Sequence, residues 1–302
     1  MPASKLISLP CDEYPFTPRR QTIGGHSLSY VDEGQGPVIV LLHGNPTWSF
    51  FYRRLILAMR DTYRVIAPDH IGCGMSAKPP AYPYRLRDHI ANIEGLLDAV
   101  GIKRFSLIMH DWGGAIGMGV AGGRPEQIEA LVVMNTAAFP SLRIPLRIRV
   151  CRTPVLGDFL VRGLNIFARA ALNMAVNRPL SPAVAAGYLA PYDSWANRIG
   201  ILRFVQDIPL SPKDVSWETL LGIEKKLTQF VRTPMLLLWG GRDFCFNRHF
   251  FTEWQQRFPQ AESRYFPEAG HYLLEDAFTD LAPLIVDFFR RNLKRKTDDG
   301  GL

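Results

Sequence analysis

A short apolar run that ends abruptly in an acidic residue constrains this chain more than any other stretch. Residues 105–109 form a compact apolar segment, typical of a strand that is buried on both faces of a parallel sheet. The run ends at His110 and Asp111, and glycine or alanine occupies four of the five positions 113–117. The pattern predicts a strand, a sharp turn that exposes Asp111, and a helix that starts close against the strand. Asp111 is then either a reactive carboxylate at the strand end or a cap for that helix.

Strand and helix patterns alternate along most of the chain, which predicts a mostly parallel, doubly wound sheet with helices on both faces. After an edge hairpin, the predicted strands cover residues 38–42, 63–67, 105–109, 130–134, 234–239 and 262–266. The polar residues that follow these strands are Asn45, Asp111, Asn135, Asp243 and His271. The carboxyl ends of parallel strands meet at one edge of the sheet, where such folds bind their ligands. We therefore expect these five side chains to share one site.

Residues 140–226 interrupt this alternation. Their pattern is helical and is broken repeatedly by prolines, with no clear strand. We predict that they form an inserted helical cap on a core that consists of residues 1–139 and 227–302. The charged tail from Lys294 to Leu302 is predicted to be disordered.

The composition, with 47% apolar and 21% charged residues among 302, is typical of a globular protein. No apolar stretch approaches the ~18 residues of a membrane-spanning helix, and residues 1–20 lack the apolar region of a secretory signal. The four cysteines are Cys11, Cys73, Cys151 and Cys245. They are scattered and lack the spacing of a zinc site, so we expect reduced thiols, no metal and no cofactor, in a cytoplasmic protein.

The formal net charge of +7 is unevenly placed. Between positions 143 and 178 there are seven arginines and one acidic residue, Asp158. Such a cluster is typical of a contact with an anionic partner, a membrane surface or nucleic acid, or of a solvated cap surface. No nucleic-acid-binding signature accompanies it, so we expect no nucleic-acid partner. Stable membrane insertion is not expected, and a homo-oligomer or assembly contact through the basic cap is left open.

Asp111, Asp243 and His271 follow the order nucleophile, acid and histidine that is typical of α/β-hydrolase triads. No serine lies in a G-x-S-x-G context, which disfavours a serine esterase. A carboxylate nucleophile suits attack on a saturated carbon with a leaving group, and forms an ester with the enzyme. His271 would then activate water against that ester, while Asp243 orients the imidazole. The backbone N–H groups of Trp112 and Asn45 are the predicted oxyanion hole.

Two motifs, HGNPTWS at residues 43–49 and HDWGG at residues 110–114, resemble those of the haloalkane dehalogenase family of α/β-hydrolases. The resemblance implies that the indole N–H of Trp112 and the side-chain amide of Asn45 hold a departing halide ion from a small apolar haloalkane. The acid at Asp243, together with the halide pair of Asn45 and Trp112, is similar to the third sub-group of this family; Asn135 cannot serve as the carboxylate. That sub-group also resembles the β-lactone decarboxylases of long-chain olefin biosynthesis.

Four functions stay open on these residues. The first is a haloalkane dehalogenase, and the alternative is a decarboxylase of cis-β-lactones (3-alkyl-4-alkyloxetan-2-ones). An epoxide hydrolase would need tyrosines in the cap, for which Tyr188 and Tyr192 are the candidates. The fourth is a non-catalytic binding protein that uses the basic cap. Position 135 is expected to be vacant, in that Asn135 supplies no carboxylate, but sterically available to the same imidazole.

Six aromatic side chains are candidates for the wall of the pocket, and we expect two or three of them to reach it. They are Phe139, Phe159, Phe167, Trp195, Phe244 and Phe246. His70 and His89 have no acid at triad spacing and are assigned to surface or core positions. Glu275 and Asp276 are interpreted as acids that favour the start of a helix.

Overall fold

The structure, a computed structural model, describes residues 12–293. Cys11 and the tail that is predicted to be disordered lie outside the described residues. The strands, in chain order, are β1 Arg19–Ile23, β2 His26–Glu33, β3 Val38–Leu42, β4 Arg64–Pro68, β5 Phe105–His110, β6 Ile128–Met134, β7 Met235–Gly240 and β8 Glu262–Phe266.

These strands form one sheet in the order β1-β2-β4-β3-β5-β6-β7-β8. The pairs β1–β2 and β2–β4 are antiparallel, and the remaining pairs are parallel. Val40 of β3 lies opposite Leu107 of β5, and His110 of β5 lies opposite Met134 of β6. This register brings the carboxyl ends of β3, β5, β6 and β7 to one edge. The predicted mostly parallel sheet and its antiparallel edge hairpin are confirmed.

Helices cover both faces of the sheet. They are α1 Arg53–Met59, α2 Leu86–Ala99, α3 Trp112–Gly123, α4 Leu146–Cys151, α5 Ile166–Met174, α6 Pro182–Leu189, α7 Ile199–Gln206, α8 Trp217–Lys226, α9 Arg248–Arg257, α10 Leu273–Asp276 and α11 Phe278–Asn292. Successive side chains of a strand point to opposite faces. Thus Ile39 and Leu41 of β3 join one apolar core with α1 and α11, whereas Val40 and Leu42 join the other with α2 and α3. The doubly wound prediction is confirmed.

Helix α3 begins unusually close to the sheet because its first turn is made of glycine. A Cβ atom at Gly113 would collide with the backbone carbonyl of Leu42, and one at Gly114 with the side chain of Thr136. Larger residues would push the helix away from the strand ends. The small residues that follow Asp111 therefore hold the turn between β5 and α3 in place.

Residues 140–226 contain helices α4 to α8 and no strand, and every residue of this range lies in the described part of the chain. The boundary between core and cap stays a prediction, and we keep the name cap for residues 140–226. The cap lies between β6 and β7 in the chain. It therefore extends from the same sheet edge at which the polar residues gather.

Two acidic residues join the cap to the rest of the molecule, Glu275 through a hydrogen bond from the cap and Asp207 through an ion pair. Glu275 pairs with Arg53 of α1 at 2.6 Å and accepts a hydrogen bond from Tyr188 of α6. Asp207, at the end of α7, pairs with Arg85 at 2.9 Å. Sequence reasoning interpreted Glu275 only as an acid at a helix start. Its buried contacts with both α1 and the cap could not be read from local sequence.

Two absences and the state of the cysteines complete the description of residues 12–293. No helix among them is long and apolar enough to cross a bilayer. No group of histidine, cysteine, aspartate and glutamate side chains in the described range is placed to hold a metal ion. Cys73, Cys151 and Cys245 are free thiols.

Candidate active site

Asp111 occupies the sharp turn between β5 and α3, with a backbone φ of +53° and ψ of −126°. This region is costly for a residue other than glycine and persists only where the surroundings hold it. The backbone N–H of Asp111 donates to the carbonyl of Asn135, and the hydroxyl of Thr136 donates to the carbonyl of Asp111. The loop after β6 thus clamps the turn from both sides. The side chain of Asp111 makes no helix-capping hydrogen bond across the first turn of α3, which disfavours the capping interpretation.

The two carboxylate oxygens of Asp111 have different surroundings. Oδ1 accepts a hydrogen bond from the backbone N–H of Asn45 at 2.7 Å. A hydrogen bond from the backbone N–H of Trp112 also reaches this carboxylate. Oδ2 lies 3.6 Å from Nε2 of His271. One oxygen is therefore held by backbone donors, while the other faces the imidazole.

His271 lies at the same edge, in the loop between β8 and α10. Its Nδ1 lies 2.8 Å from Oδ2 of Asp243. The second oxygen of Asp243, Oδ1, accepts hydrogen bonds from the backbone N–H groups of Cys245 and Phe246, at 2.6 and 3.0 Å. These two donors fix the carboxylate, and the carboxylate in turn fixes the imidazole with Nε2 directed at Asp111.

Burial and neighbouring charges act on the pKa values of this pair. Burial raises the pKa of Asp111 above its ordinary value, although the charge of His271 and the two backbone donors oppose the shift. Burial lowers the pKa of His271, but the charge of Asp243, its hydrogen bond and the charge of Asp111 together raise it above the ordinary value. The charges of Asp111 and His271 thus each favour the ionised form of the other, whereas burial opposes both ionised forms.

Asn45 and Trp112 both line the cavity beside Asp111. The side-chain amide of Asn45 donates to the backbone carbonyl of Ile201 in the cap at 3.1 Å. This contact uses one of the two amide hydrogens and leaves the second for a ligand. The indole of Trp112 packs edge-on against Phe204, with ring centroids 5.3 Å apart. Sequence reasoning did not foresee that the cap would orient both predicted donors.

Asn135, which was predicted to lie at this edge without supplying a carboxylate, contacts the acid directly. The side-chain amide of Asn135 donates to Oδ2 of Asp243 at 2.8 Å, the same oxygen that lies against His271. Its carbonyl oxygen accepts from the backbone N–H of Gly240 at 2.8 Å. The carboxyl ends of β6 and β7 are adjacent, so a short side chain on one reaches the acid that follows the other. Asn135 is thus a partner of the acid.

His110 is a residue of the site that the sequence analysis missed. Its Nε2 lies 2.9 Å from the backbone carbonyl of His271, and the two rings are 4.5 Å apart. Burial, and then the charge of His271, lower the pKa of His110. A neutral His110 can donate to that carbonyl and so hold the loop that carries the other histidine. The position of His110 directly before Asp111 was the feature of the sequence that could have indicated a role in the site.

A cavity of about 470 Å³ opens above Asp111 between the sheet edge and the cap. Four of the six aromatic candidates line it, more than the two or three expected: Phe139, Phe167, Phe244 and Phe246. Phe159 and Trp195 are instead 56% and 48% exposed. Phe250 and Tyr272, which were not predicted, also line the wall. The lining is mostly apolar, so the cavity suits an apolar ligand with one reactive polar group.

Tyr188 and Tyr192, the cap tyrosines that an epoxide hydrolase would need, have other partners. Tyr188 donates to Glu275, and Tyr192 donates to the backbone carbonyl of Thr47 at 3.3 Å. Both hydroxyls are buried within the packing of cap on core, and neither residue belongs to the cavity lining among residues 12–293. This arrangement disfavours the epoxide hydrolase interpretation. His70 and His89 are buried core residues.

Residues 39–284 match the family model of the alpha/beta hydrolase family. A cis-3-alkyl-4-alkyloxetan-2-one decarboxylase of Shewanella oneidensis is 45% identical over 91% of this chain and 88% of its own length. Haloalkane dehalogenase 2 of Mycobacterium tuberculosis is 32% identical over 91% of this chain and 96% of its own length.

A crystal structure of haloalkane dehalogenase DbeA from Bradyrhizobium elkani resembles this structure with a TM-score of 0.82 and 26% identity. The match covers 91% of this chain and 99% of that one. These findings confirm the resemblance to haloalkane dehalogenases and their decarboxylase relatives. The chain belongs to the alpha/beta hydrolase family.

Proposed function

We propose that the protein decarboxylates cis-3-alkyl-4-alkyloxetan-2-ones to cis-alkenes, with Asp111 as the nucleophile. The observation that carries the proposal is the 45% identity to a decarboxylase of this class, against 32% to a haloalkane dehalogenase over the same share of the chain. It favours the second of the two leading functions that the sequence left open. The mostly apolar cavity above Asp111 suits a ligand whose two alkyl groups flank a small polar ring.

In the first step Oδ2 of Asp111 attacks the saturated ring carbon that bears the ring oxygen, C4. A bond forms between Oδ2 and C4, the bond from C4 to the ring oxygen breaks, and its electron pair leaves with that oxygen as a carboxylate. The opposite carboxylate oxygen, Oδ1, is held by the N–H of Asn45 at 2.7 Å. That contact leaves Oδ2 directed at the cavity and at His271.

In the second step the new carboxylate leaves as carbon dioxide. The bond from C3 to the carboxylate carbon breaks, its electrons form the double bond between C3 and C4, and the bond from C4 to Oδ2 breaks. Asp111 recovers its negative charge, and no water is consumed. Inversion at C4 followed by anti elimination yields the cis alkene from the cis lactone.

The surrounding groups stabilise the negative charge as it moves. On the enzyme, the backbone N–H groups of Asn45 and Trp112 stabilise Asp111 as it leaves, as an oxyanion hole does. On the substrate, the indole N–H of Trp112 and the free amide hydrogen of Asn45 can hold the carboxylate. Protonated His271 would place a cation beside both positions, and the charge of Asp243, which raises the pKa of His271, favours that form.

A single incubation tests the proposal against the dehalogenase alternative. The enzyme is supplied in parallel with a long-chain cis-3-alkyl-4-alkyloxetan-2-one and with a series of 1-haloalkanes, and alkene, carbon dioxide and halide are measured. We expect equal amounts of cis-alkene and carbon dioxide, and none from Asp111→Asn, whose amide cannot attack carbon. Both functions begin with attack by Asp111 on a saturated carbon, and they differ in the group that leaves. Halide release without alkene would therefore favour the dehalogenase. If neither the lactone nor the haloalkanes gave a product, both functions would be contradicted.

A further inference from the structure

The surface of the cap around α4 exposes apolar and cationic side chains side by side. Leu142 and Leu146 are 73% and 74% exposed. Arg143, Arg147 and Arg149 are exposed between and beside them. We call these five residues the mouth patch. Exposed leucines next to exposed arginines are a pattern typical of surfaces that lie in the interface of a membrane.

The arginines of the mouth patch have no acidic partner in the part of the chain that the structure describes. Elsewhere in the cap, Arg152 pairs with Asp214 and Arg162 with Asp158. Within residues 12–293, none of the mouth-patch guanidinium groups forms an ion pair with a carboxylate. Their positive charge is therefore available to an external anionic surface.

The mouth patch borders the opening of the cavity. Arg143 and Arg147 line the cavity itself, and the guanidinium of Arg147 stacks on Phe244, 3.8 Å from its ring centroid. Leu146 and Arg147 also line a shallow depression on the outer surface. The patch and the cavity wall therefore share two exposed residues, Arg143 and Arg147.

Exposed apolar side chains are concentrated in the cap. Large apolar residues that are exposed in the cap are Leu142, Leu146, Val155, Leu156, Phe159, Leu164, Ile166, Trp195 and Val215. In the rest of the described chain they are Leu57, Val231 and Tyr265. Isolated exposed leucines need no explanation, but this concentration on one segment indicates a surface that is covered in use.

We propose that the mouth patch docks the protein reversibly on an anionic lipid bilayer, so that apolar ligands pass from the lipid into the cavity. Nucleic acid would neutralise the arginines but leave the leucines in water. An anionic bilayer matches both, since its head groups attract arginine and its acyl region takes up leucine. The docking itself does not depend on which reaction Asp111 performs.

Vesicle flotation tests the docking. The protein is mixed with vesicles of phosphatidylcholine, with or without phosphatidylglycerol, and the bound fraction is measured at low and high salt. We expect binding to the anionic vesicles that weakens as salt screens the charges. Arg149→Glu, which lies outside the cavity lining, should weaken binding by about fivefold or more. The double variant with Leu142→Ser and Leu146→Ser should weaken vesicle binding by at least about tenfold, because neither side chain then buries apolar surface in the bilayer.

Matched controls lie on other surfaces. Leu57→Ser on α1 removes an exposed leucine, and Arg264→Glu on β8 reverses an exposed arginine, and both should bind as the wild type does. Absence of vesicle binding, or equal weakening by the control variants, would overturn the proposal. The proposal would also be overturned if the leucine variant lost self-association, measured by gel filtration, while its vesicle binding stayed unchanged. The flotation needs no turnover, so its failure and the failure of the proposed reaction are distinguishable.

Discussion

Nε2 of His271 lies 3.6 Å from Oδ2 of Asp111, just beyond hydrogen-bond length. The imidazole therefore faces the oxygen without being committed to it, while the other oxygen is held by the N–H of Asn45 at 2.7 Å. A group at this distance can serve as a fixed cation beside a moving charge, or as a base for a water molecule that attacks an ester on Asp111. These two roles predict different pH dependences of the rate. They also differ in whether an oxygen atom from water enters the carboxylate of Asp111.

The pH dependence of kcat/KM for the lactone should be bell-shaped. Asp111 must be ionised, so the rate falls as pH drops through its pKa, which burial raises above the ordinary 3.8. His271 must be protonated, so the rate also falls as pH rises through its pKa, which Asp243 and Asp111 raise above 6.5. The measurement is kcat/KM across the pH range, which reports the free enzyme. A rate that instead rises through the histidine pKa to a plateau would identify His271 as a base.

His271→Ala should slow alkene formation on the order of 10²-fold, the scale on which a fixed electrostatic group contributes, without leaving a lasting adduct. The reason is that elimination restores Asp111 without water. The measurements are alkene yield and the intact mass of the protein during one turnover, in water enriched in the heavy oxygen isotope. The wild type serves as the control and should take up no heavy oxygen at Asp111. A persistent ester in the variant, or label in the wild-type carboxylate, would mean that water attacks the ester.

Glu275→Gln should destabilise the fold by about 3 kcal/mol, as expected when one partner of a buried ion pair is removed. Arg53 and Glu275 expose only 3% and 7% of their side chains, and the hydroxyl of Tyr188 keeps only a neutral amide oxygen as its acceptor. We place the value at the lower end because Glu13 still pairs with Arg53. Chemical denaturation followed by circular dichroism measures the change.

The control for this variant is Glu262→Gln. It breaks a pair with Arg291 in which both side chains are 47% exposed. Such a surface pair contributes about 0–1 kcal/mol. If the two variants lose equal stability, the contact of Glu275 with Arg53 is not a buried structural pair.

The sheet and the gathering of Asp111, Asp243 and His271 at its edge could be predicted from sequence because they depend on local pattern and on one topological rule. Strands are apolar runs, and parallel strands end at the same edge. The position of Asn135 at that edge was predicted for the same reason. Its hydrogen bond to Asp243 could not be, since it depends on the neighbouring order of β6 and β7.

The cap was less predictable because short helices in it pack on several surfaces at once. Sequence spacing gives the apolar face of a helix but not the element that this face meets. Phe159 and Phe167 looked equivalent in sequence, yet the first is exposed and the second lines the cavity. Tyr188 likewise looked available for chemistry, and only the structure places Glu275 against its hydroxyl.

Exchange of the acid and the amide between positions 243 and 135 should restore part of the activity that is lost with the acid. Asp243→Asn removes the anion that sustains the His271 cation, and we expect a loss on the order of 10²–10⁴-fold. Asn135 already contacts Oδ2 of Asp243 at 2.8 Å, close to the imidazole. Asn135→Asp in the same chain should therefore recover roughly 10-fold over the single variant, if the new carboxylate reaches the ring nitrogen.

The recovery is expected to be partial because the amide nitrogen of Asn135 also donates to the carbonyl of Gly240 at 3.2 Å. A carboxylate oxygen there meets a carbonyl and must turn away from it, whereas the oxygen that accepts from the N–H of Gly240 keeps its partner. The matched control is Asp243→Asn with Asn135→Ser, which supplies no carboxylate. Rates on the lactone and thermal melting by circular dichroism are compared for all three variants. A folded exchange variant that is no faster than the serine control would show that a carboxylate at position 135 cannot support His271.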